Sequence, residues 1–162
     1  MAPDLRIEPA KEYDVPLILN LVKKLAAYER LLHEVVATEE DFRKALFGPT
    51  PVAEALLAFL GSQPVGFALY FSTFSTFVGR PGIYLEDIFV EPEHRGKGIG
   101  AALLTRIARI ACDRNCGRLE WSVLTWNEPS IGFYERLGAQ RMEDWRVFRL
   151  AGAALDRLAR SE

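Results

Sequence analysis

Apolar and polar positions along the chain change period several times, and each change marks an element. Leu5-Arg6-Ile7-Glu8 alternates with period two and predicts a short strand that Pro9 stops. Val15, Ile18, Leu19, Val22, Leu25 and Ala26 then recur at helical spacing, predicting a helix to about Tyr28. Thr38 is a good N-cap for a second helix through Ala45, Leu46 and Phe47, closed by Gly48 and Pro49. Ala53 to Leu60 is apolar throughout and fits strand or helix by periodicity alone. The turn chemistry of Gly61-Ser62-Gln63-Pro64 and the strand pattern of Val65 to Phe71 favour a hairpin. Ser72 to Pro81 reads as a loop or frayed strand, and Ile83 to Val90 as a central strand. Ala101 to Arg114 is a breaker-free helix closed by Asn115-Cys116-Gly117. Leu119 to Thr125 is expected to be a strand. A short helix follows, with Pro129 in its first turn and Gly138 at its C′ position. Arg146 to Leu150 is expected to be a last strand, and Ala151 to Arg160 a terminal helix. Early helices, an antiparallel run and a β-α-β-α-β unit predict one α/β domain over residues 1–162, with a mixed sheet.

Composition narrows the class. The 162 residues suit one domain with a sizeable core, and their apolar and charged fractions are ordinary for a globular chain. A net charge of −2 gives no global footprint for nucleic acid. No window approaches the apolar length of a membrane span. Met1-Ala2-Pro3-Asp4-Leu5-Arg6 lacks the apolar core of a signal peptide, so a soluble, cytoplasmic protein is expected. Cys112 and Cys116 are four apart near a helix end, with no second Cys/His pair to complete a metal site. They read as reduced, packed thiols, and no metal is expected.

The chemistry concentrates in Arg95-Gly96-Lys97-Gly98-Ile99-Gly100, between the central strand and the helix that starts at Ala101. Alternating glycines let the chain turn tightly and bring backbone N–H groups close to a ligand. A helix start adds unpaired donors and partial positive charge, and Arg95 and Lys97 add full charges. The sum is a site for phosphate or pyrophosphate. Gly96 to Ala101 also fits the dinucleotide fingerprint G-x-G-x-x-[GA], with Glu120 about where a ribose-binding acid would stand. Five residues, Glu91 to Arg95, separate the strand from the first glycine, whereas that fingerprint needs an immediate turn and more strand–helix units than remain. A P-loop is excluded because no Gly-Lys-[Ser/Thr] closes the turn.

Ile83 to Val90 followed by Glu91-Pro92-Glu93-His94-Arg95-Gly96-Lys97-Gly98-Ile99-Gly100 resembles the acetyl-CoA signature of the GNAT N-acetyltransferase superfamily, Arg/Gln-x-x-Gly-x-Gly/Ala. A second block, Trp126-Asn127-Glu128-Pro129-Ser130 through Phe133-Tyr134-Glu135-Arg136-Leu137-Gly138-Ala139, agrees in order. Leu25-Ala26-Ala27-Tyr28-Glu29, Tyr84-Leu85-Glu86-Asp87 and Trp126 to Ser130 are similar to the diamine N-acetyltransferase family over nearly the whole chain. Phe74-Ser75-Thr76-Phe77 resembles the thialysine type, where the spermidine type has an aspartate. The resemblance implies a mostly antiparallel twisted sheet, helices on both faces and a splayed central strand pair. It also implies acetyl-CoA as co-substrate, a small-molecule amine as acceptor and a homodimer, with no nucleic acid or membrane partner.

A lysine-like amine has a pKa near ~10.4, so reaching its nucleophilic form at pH 7 costs about 4–5 kcal/mol. Glu86 and Asp87 stand on the strand before the glycine turn. A regular strand would point them to opposite faces, and a bulge would relax this. The resemblance implies that Glu86 meets the amine, as base directly or through a water, while Asp87 is expected to face solvent. It implies that Tyr134 protonates the leaving thiolate. Its other reading is a core tyrosine beside Phe133. Ile88, Phe89 and Val90 match positions that hold the pantetheine arm, and Gly96, Lys97, Gly98, Ile99, Gly100 and Ala101 those that hold pyrophosphate. Asn127 and Ser130 match cofactor contacts, and Asn127 also suits a helix cap. Tyr28, Glu29, Glu86, Asp87, Glu120, Trp121, Ser122 and Glu143 match substrate positions. Carboxylates among them suit a cation with two amines. Two other readings stay open: transfer to a protein N-terminus or lysine, and a non-catalytic acetyl-CoA sensor.

Overall fold

The computed structural model describes residues 4–161. Of the N-terminal segment read above as having no apolar leader, Met1 to Pro3 lie outside the described residues. The chain divides into two compact units, Met1–Leu124 and Thr125–Glu162.

The first unit holds a five-stranded sheet in the order β1-β2-β3-β4-β5. Its strands are β1 (Leu5–Pro9), β2 (Glu54–Leu60), β3 (Gln63–Ser75), β4 (Arg80–Val90) and β5 (Leu119–Trp121). The first four pair antiparallel, and β5 joins β4 in parallel. The hairpin reading of 53–60 is therefore right. Its neighbour is longer than expected. Ser72 to Ser75 pair with Ile83 to Arg80, so of the two readings of Ser72 to Pro81 the strand holds for most of the segment, and only residues 76–79 turn. Ser75 is buried and its Oγ accepts from Val78 N at 3.3 Å, which fastens that turn.

Cross-strand partners share a face, so the ladders sort the core. Leu57, Phe67 and Phe89 are in line across β2, β3 and β4, and Ala55 pairs with Leu69. These pack with Ile18, Leu21 and Leu25 of α1 (Val15–Tyr28) and Leu46 of α2 (Glu39–Phe47). Thr38 caps α2 as expected, accepting from Asp41 N, while Asp41 accepts from Thr38 N at 2.8 Å. The alternate positions, among them Leu56, Ala68, Tyr70 and Leu85, are buried on the other face. Helix α3 (Ile99–Asp113) lies against β1, β2, β3 and β4, burying Ile99, Leu103, Leu104 and Ile107. It ends as the sequence foretells, with Asn115 left-handed (φ 54°) and Cys116 N bonded to Ala111 O.

Two features of β4 position the site. Leu69 pairs with Asp87, but Tyr70 pairs with Leu85, so Glu86 is an extra residue, a bulge. The β4–β5 ladder runs only from Ile83↔Leu119 to Leu85↔Trp121 and stops where that bulge begins. Beyond it, Glu86 to Val90 have no ladder partner on the β5 side among the described residues. This is the splayed pair, and it makes β5 shorter than the expected Leu119 to Thr125.

The second unit contains α4 (Glu128–Arg136) and α5 (Gly152–Ala159). Pro129 lies in the first turn of α4, and Gly138 N and Ala139 N close its end on Glu135 O and Tyr134 O. Arg146 to Leu150 form no strand. No ladder among the described residues takes them, and Val147 and Phe148 stay 86% and 94% exposed. Residue preference alone does not hold a strand without a neighbour to bond its backbone.

Candidate active site

In the first unit, the β4 bulge gathers carboxylates. Asp87 takes the parity of Leu69 and Phe89 and so faces the side covered by α1. Glu86, on the bulge, is exposed, whereas Asp87 is half-buried. The expectation that Asp87 faces solvent is thus reversed, because the bulge shifts parity by one residue. Glu29 caps the C-terminal end of α1. Burial first, then the charges of Glu86 and Glu29, push Asp87 from its ordinary 3.8 to about 7. Burial also raises Glu29. Glu29, Glu86 and Asp87 therefore form one electrostatic cluster, and everything that moves Asp87 acts against its negative charge.

The glycine turn follows. Glu91, buried, pairs with Lys24 of α1, and its N–H donates to Val65 O at 2.9 Å. Gly96 and Gly98 are both left-handed, with φ of 76° and 80°, and a Cβ on either would meet no protein atom. Gly98 is the N-cap of α3 and offers no capping side chain. The first intrahelical bond runs from Ala102 N to Gly98 O at 3.0 Å, which leaves the N–H groups of Ile99, Gly100 and Ala101 to other acceptors. Two open left-handed glycines beside an uncapped 15-residue helix fit the diphosphate of a coenzyme. Lys97 stands in the turn, its Nζ 3.4 Å from His94 Nδ1. Arg95 has partners within the protein as well. Its Nε donates to Val90 O at 2.9 Å, and its guanidinium lies over the Tyr28 and Phe89 rings, 4.6 and 5.3 Å from their centroids.

The other expected substrate residues of this unit lie along β5 and just beyond it. Glu120 is bonded to Arg118 at 2.8 Å, and Ser122 Oγ to Tyr84 OH at 2.6 Å. Trp121 pairs in register with Leu85. Ile88 pairs with Ala68 on the α3 face, opposite in parity to Asp87 and Phe89. Among the described residues, no group of three or more His, Cys, Asp or Glu side chains could hold a metal, and no helix is long and apolar enough to cross a membrane.

In the second unit, Asn127 is buried and caps α4, its Oδ1 accepting from Ser130 N at 3.4 Å. Tyr134 lies in the last turn and a half of that helix, its ring tilted against Phe133 with centroids 5.3 Å apart. Glu143 is exposed and 4.0 Å from Arg141, which is bonded more closely to Glu135.

Two things escape a reading of the sequence. One is the stacked Arg95, and the other is the burial of Asp87 beside an exposed Glu86. A hint of the first existed in Tyr28 and Phe89, aromatics on two elements that the core brings together.

Known proteins give this geometry its setting. The model of the acetyltransferase (GNAT) family matches residues 21–139. A thialysine N-epsilon-acetyltransferase of Bos taurus is 42% identical, with 94% of this chain and 96% of that protein covered. An L-ornithine N5-acetyltransferase of Arabidopsis thaliana is 34% identical over 93% of this chain and 86% of that protein. Among solved structures, an integron cassette protein from the mobile metagenome of V. cholerae superposes with a TM-score of 0.81 at 27% identity, covering 98% of this chain and 99% of that one. The glycine turn at the head of α3, the interrupted β4–β5 pair and these likenesses agree: the chain belongs to the GNAT N-acetyltransferase family, whose co-substrate is acetyl-CoA.

Proposed function

We propose that this enzyme moves an acetyl group directly onto the primary amine of a small molecule, a diamine, polyamine or thialysine-like amino acid, inside the cell. One observation carries the reading. Glu29, Glu86 and Asp87 concentrate negative charge at the bulge of β4, and Asp87 is displaced to about 7 by burial and by its two neighbours. Such a cluster calls for a cation, and an amine that arrives as ammonium supplies one. The names of the thialysine and ornithine enzymes point the same way.

Acetyl-CoA, when bound, supplies an activated thioester. The N–H groups at Gly98 to Ala101 hold its diphosphate, and Lys97 adds charge there. Ile88, Phe89 and Val90, on the stretch of β4 whose β5 side has no ladder partner among the described residues, line the pantetheine arm, with Asn127 and Ser130 as further contacts. Glu86 meets the ammonium, directly or through a water. The proton it surrenders passes to the Glu86–Asp87 pair, in which Asp87 is the member able to hold it near neutrality. The nitrogen lone pair then forms the C–N bond as the C–S bond breaks. Tyr134 donates to the developing thiolate, a full transfer being about 2 kcal/mol uphill for untuned groups. Tyr28, Glu29, Glu120, Trp121, Ser122 and Glu143 complete the amine side. A homodimer belongs to this proposal, supported by the family resemblance and by the exposed Trp145, Val147 and Phe148.

The test is thiol release from acetyl-CoA with a panel of thialysine, ornithine, diamines and peptides. Faster release with the small amines is expected, and faster release with peptides would replace this reading by protein acylation. Coenzyme binding without thiol release across the panel would make the chain a sensor. Tyr134→Phe is expected to lower kcat about tenfold or more while acetyl-CoA still binds. Unchanged turnover would remove Tyr134 from the mechanism.

A further inference from the structure

The first residue of a phosphate-binding turn, when it is an arginine, is expected to aim its charge at the phosphates. Arg95 does otherwise. Its Nε is held by the carbonyl of Val90, and the plane of its guanidinium is spent on two rings, Phe89 in the core and Tyr28 at the last position of α1. We propose that Arg95 is a positioning residue for the amine side of the site: it locks Tyr28, and with it Glu29, onto the end of β4. The inference rests on the reading above, in which Glu29 belongs to the cluster that receives the amine.

The end of α1 is where such a contact matters. It closes with Arg30 N on Ala27 O and Leu31 N on Ala26 O, which places Arg30 in the left-handed region at φ 62°. An arginine there is strained, unlike the glycine that usually fills the position. Tyr28 is 37% exposed, so burial alone does not hold it. One turn earlier, Lys24 pairs with Glu91, and four residues after Glu91 comes Arg95. The two contacts therefore join α1 to the segment after β4 as a ladder. Loss of the second leaves the first in place, so its effect centres on the last turn of α1. A cation stacked on two aromatic faces and hydrogen-bonded through Nε is a task for guanidinium that ammonium cannot take over.

The experiment compares Arg95→Ala and Arg95→Lys with the wild type. It measures amine KM at saturating acetyl-CoA, CoA affinity by calorimetry, and the pH profile of kcat/KM. The expected result for both variants is an amine KM raised about fivefold or more, with CoA affinity changed by less than about threefold. The acid limb should also move to lower pH, because a displaced Glu29 no longer presses on Asp87. Effects of Arg95→Ala and Tyr28→Ala on kcat/KM should be non-additive. A tenfold loss of CoA affinity with amine KM and acid limb unchanged would overturn the proposal and make Arg95 a phosphate ligand, as would rescue by lysine or additivity. If the wild type released no thiol with any amine, the functional reading would fail on its own account. Thermal unfolding of the same double-mutant cycle then decides: coupling upholds the lock, and additivity overturns it.

Discussion

Asp87→Asn is expected to lower kcat/KM at pH 7 by about a hundredfold or more and, at the same time, to make the protein more stable at pH 8. The first effect is the loss of the group that holds the amine's proton. The second follows from linkage. Asp87 titrates at about 7 in the folded chain and ordinarily at 3.8, so between those values the folded state keeps a proton that the unfolded state has released. Stability contributed at low pH is lost as pH rises through that window, and above it the full penalty of a buried, crowded charge remains. Asparagine carries no such penalty. Its melting temperature should exceed that of the wild type at pH 8 and lose the decline between pH 4 and 7, at about 2–4 °C per kcal/mol for a chain of this size. Glu86→Gln supplies the complement. It removes one of the charges that raise Asp87, so the acid limb of kcat/KM should move to lower pH. A bound diammonium should move it the same way, so the limb of kcat lies below that of kcat/KM. An acid limb identical in wild type, Glu86→Gln and Asp87→Asn would show that neither carboxylate handles the proton.

Gly98→Ala should weaken CoA binding about a hundredfold, measured by calorimetry. A Cβ there meets no protein atom, so the residue's own fold tolerates the volume. What the methyl does is occupy the space in which a diphosphate would approach the N–H groups of α3, and it forces a side chain into a left-handed backbone at φ 80°. The strain costs about 1–2 kcal/mol of stability. Gly79→Ala is the control. Gly79 is also left-handed, at φ 67°, with open space around its Cβ, but it lies in the β3–β4 turn. It should lose comparable stability and bind CoA normally. Equal loss of CoA affinity in both variants would mean that backbone strain, and not occupied space, causes the effect.

Helix ends and the β2–β3 hairpin were legible because their signals are local. Thr38, Asn115, Pro129 and Gly138 do their work within a few residues of themselves, so reading them needs no knowledge of the fold. The glycine turn was legible for the same reason. Ser72 to Pro81, open between loop and frayed strand, and the expected strand at Arg146 to Leu150 were decided in opposite directions by one cause. Strand is decided by whether a partner is there: Ser72 to Ser75 find Arg80 to Ile83, and Arg146 to Leu150 find none among the described residues. Glu120 shows the limit for side chains. Its match to a substrate position says nothing of Arg118, which engages it two residues away across the pleat.

By itself the chain's order of residues determined which segments are helical, where they begin and end, and where a turn of open backbone amides would stand, since all of these depend on bonds between near neighbours. Only the tertiary structure decided that Glu86 bulges out of β4, that Asp87 rather than Glu86 is half-buried on the α1 side, where the charge of Glu29 reaches it, and that Arg95 spends its plane on Tyr28 and Phe89. Those outcomes come from register and from packing between segments some sixty residues apart. A shift of one residue in a ladder exchanges the faces of every side chain beyond it, and no local pattern records on which residue the shift will fall.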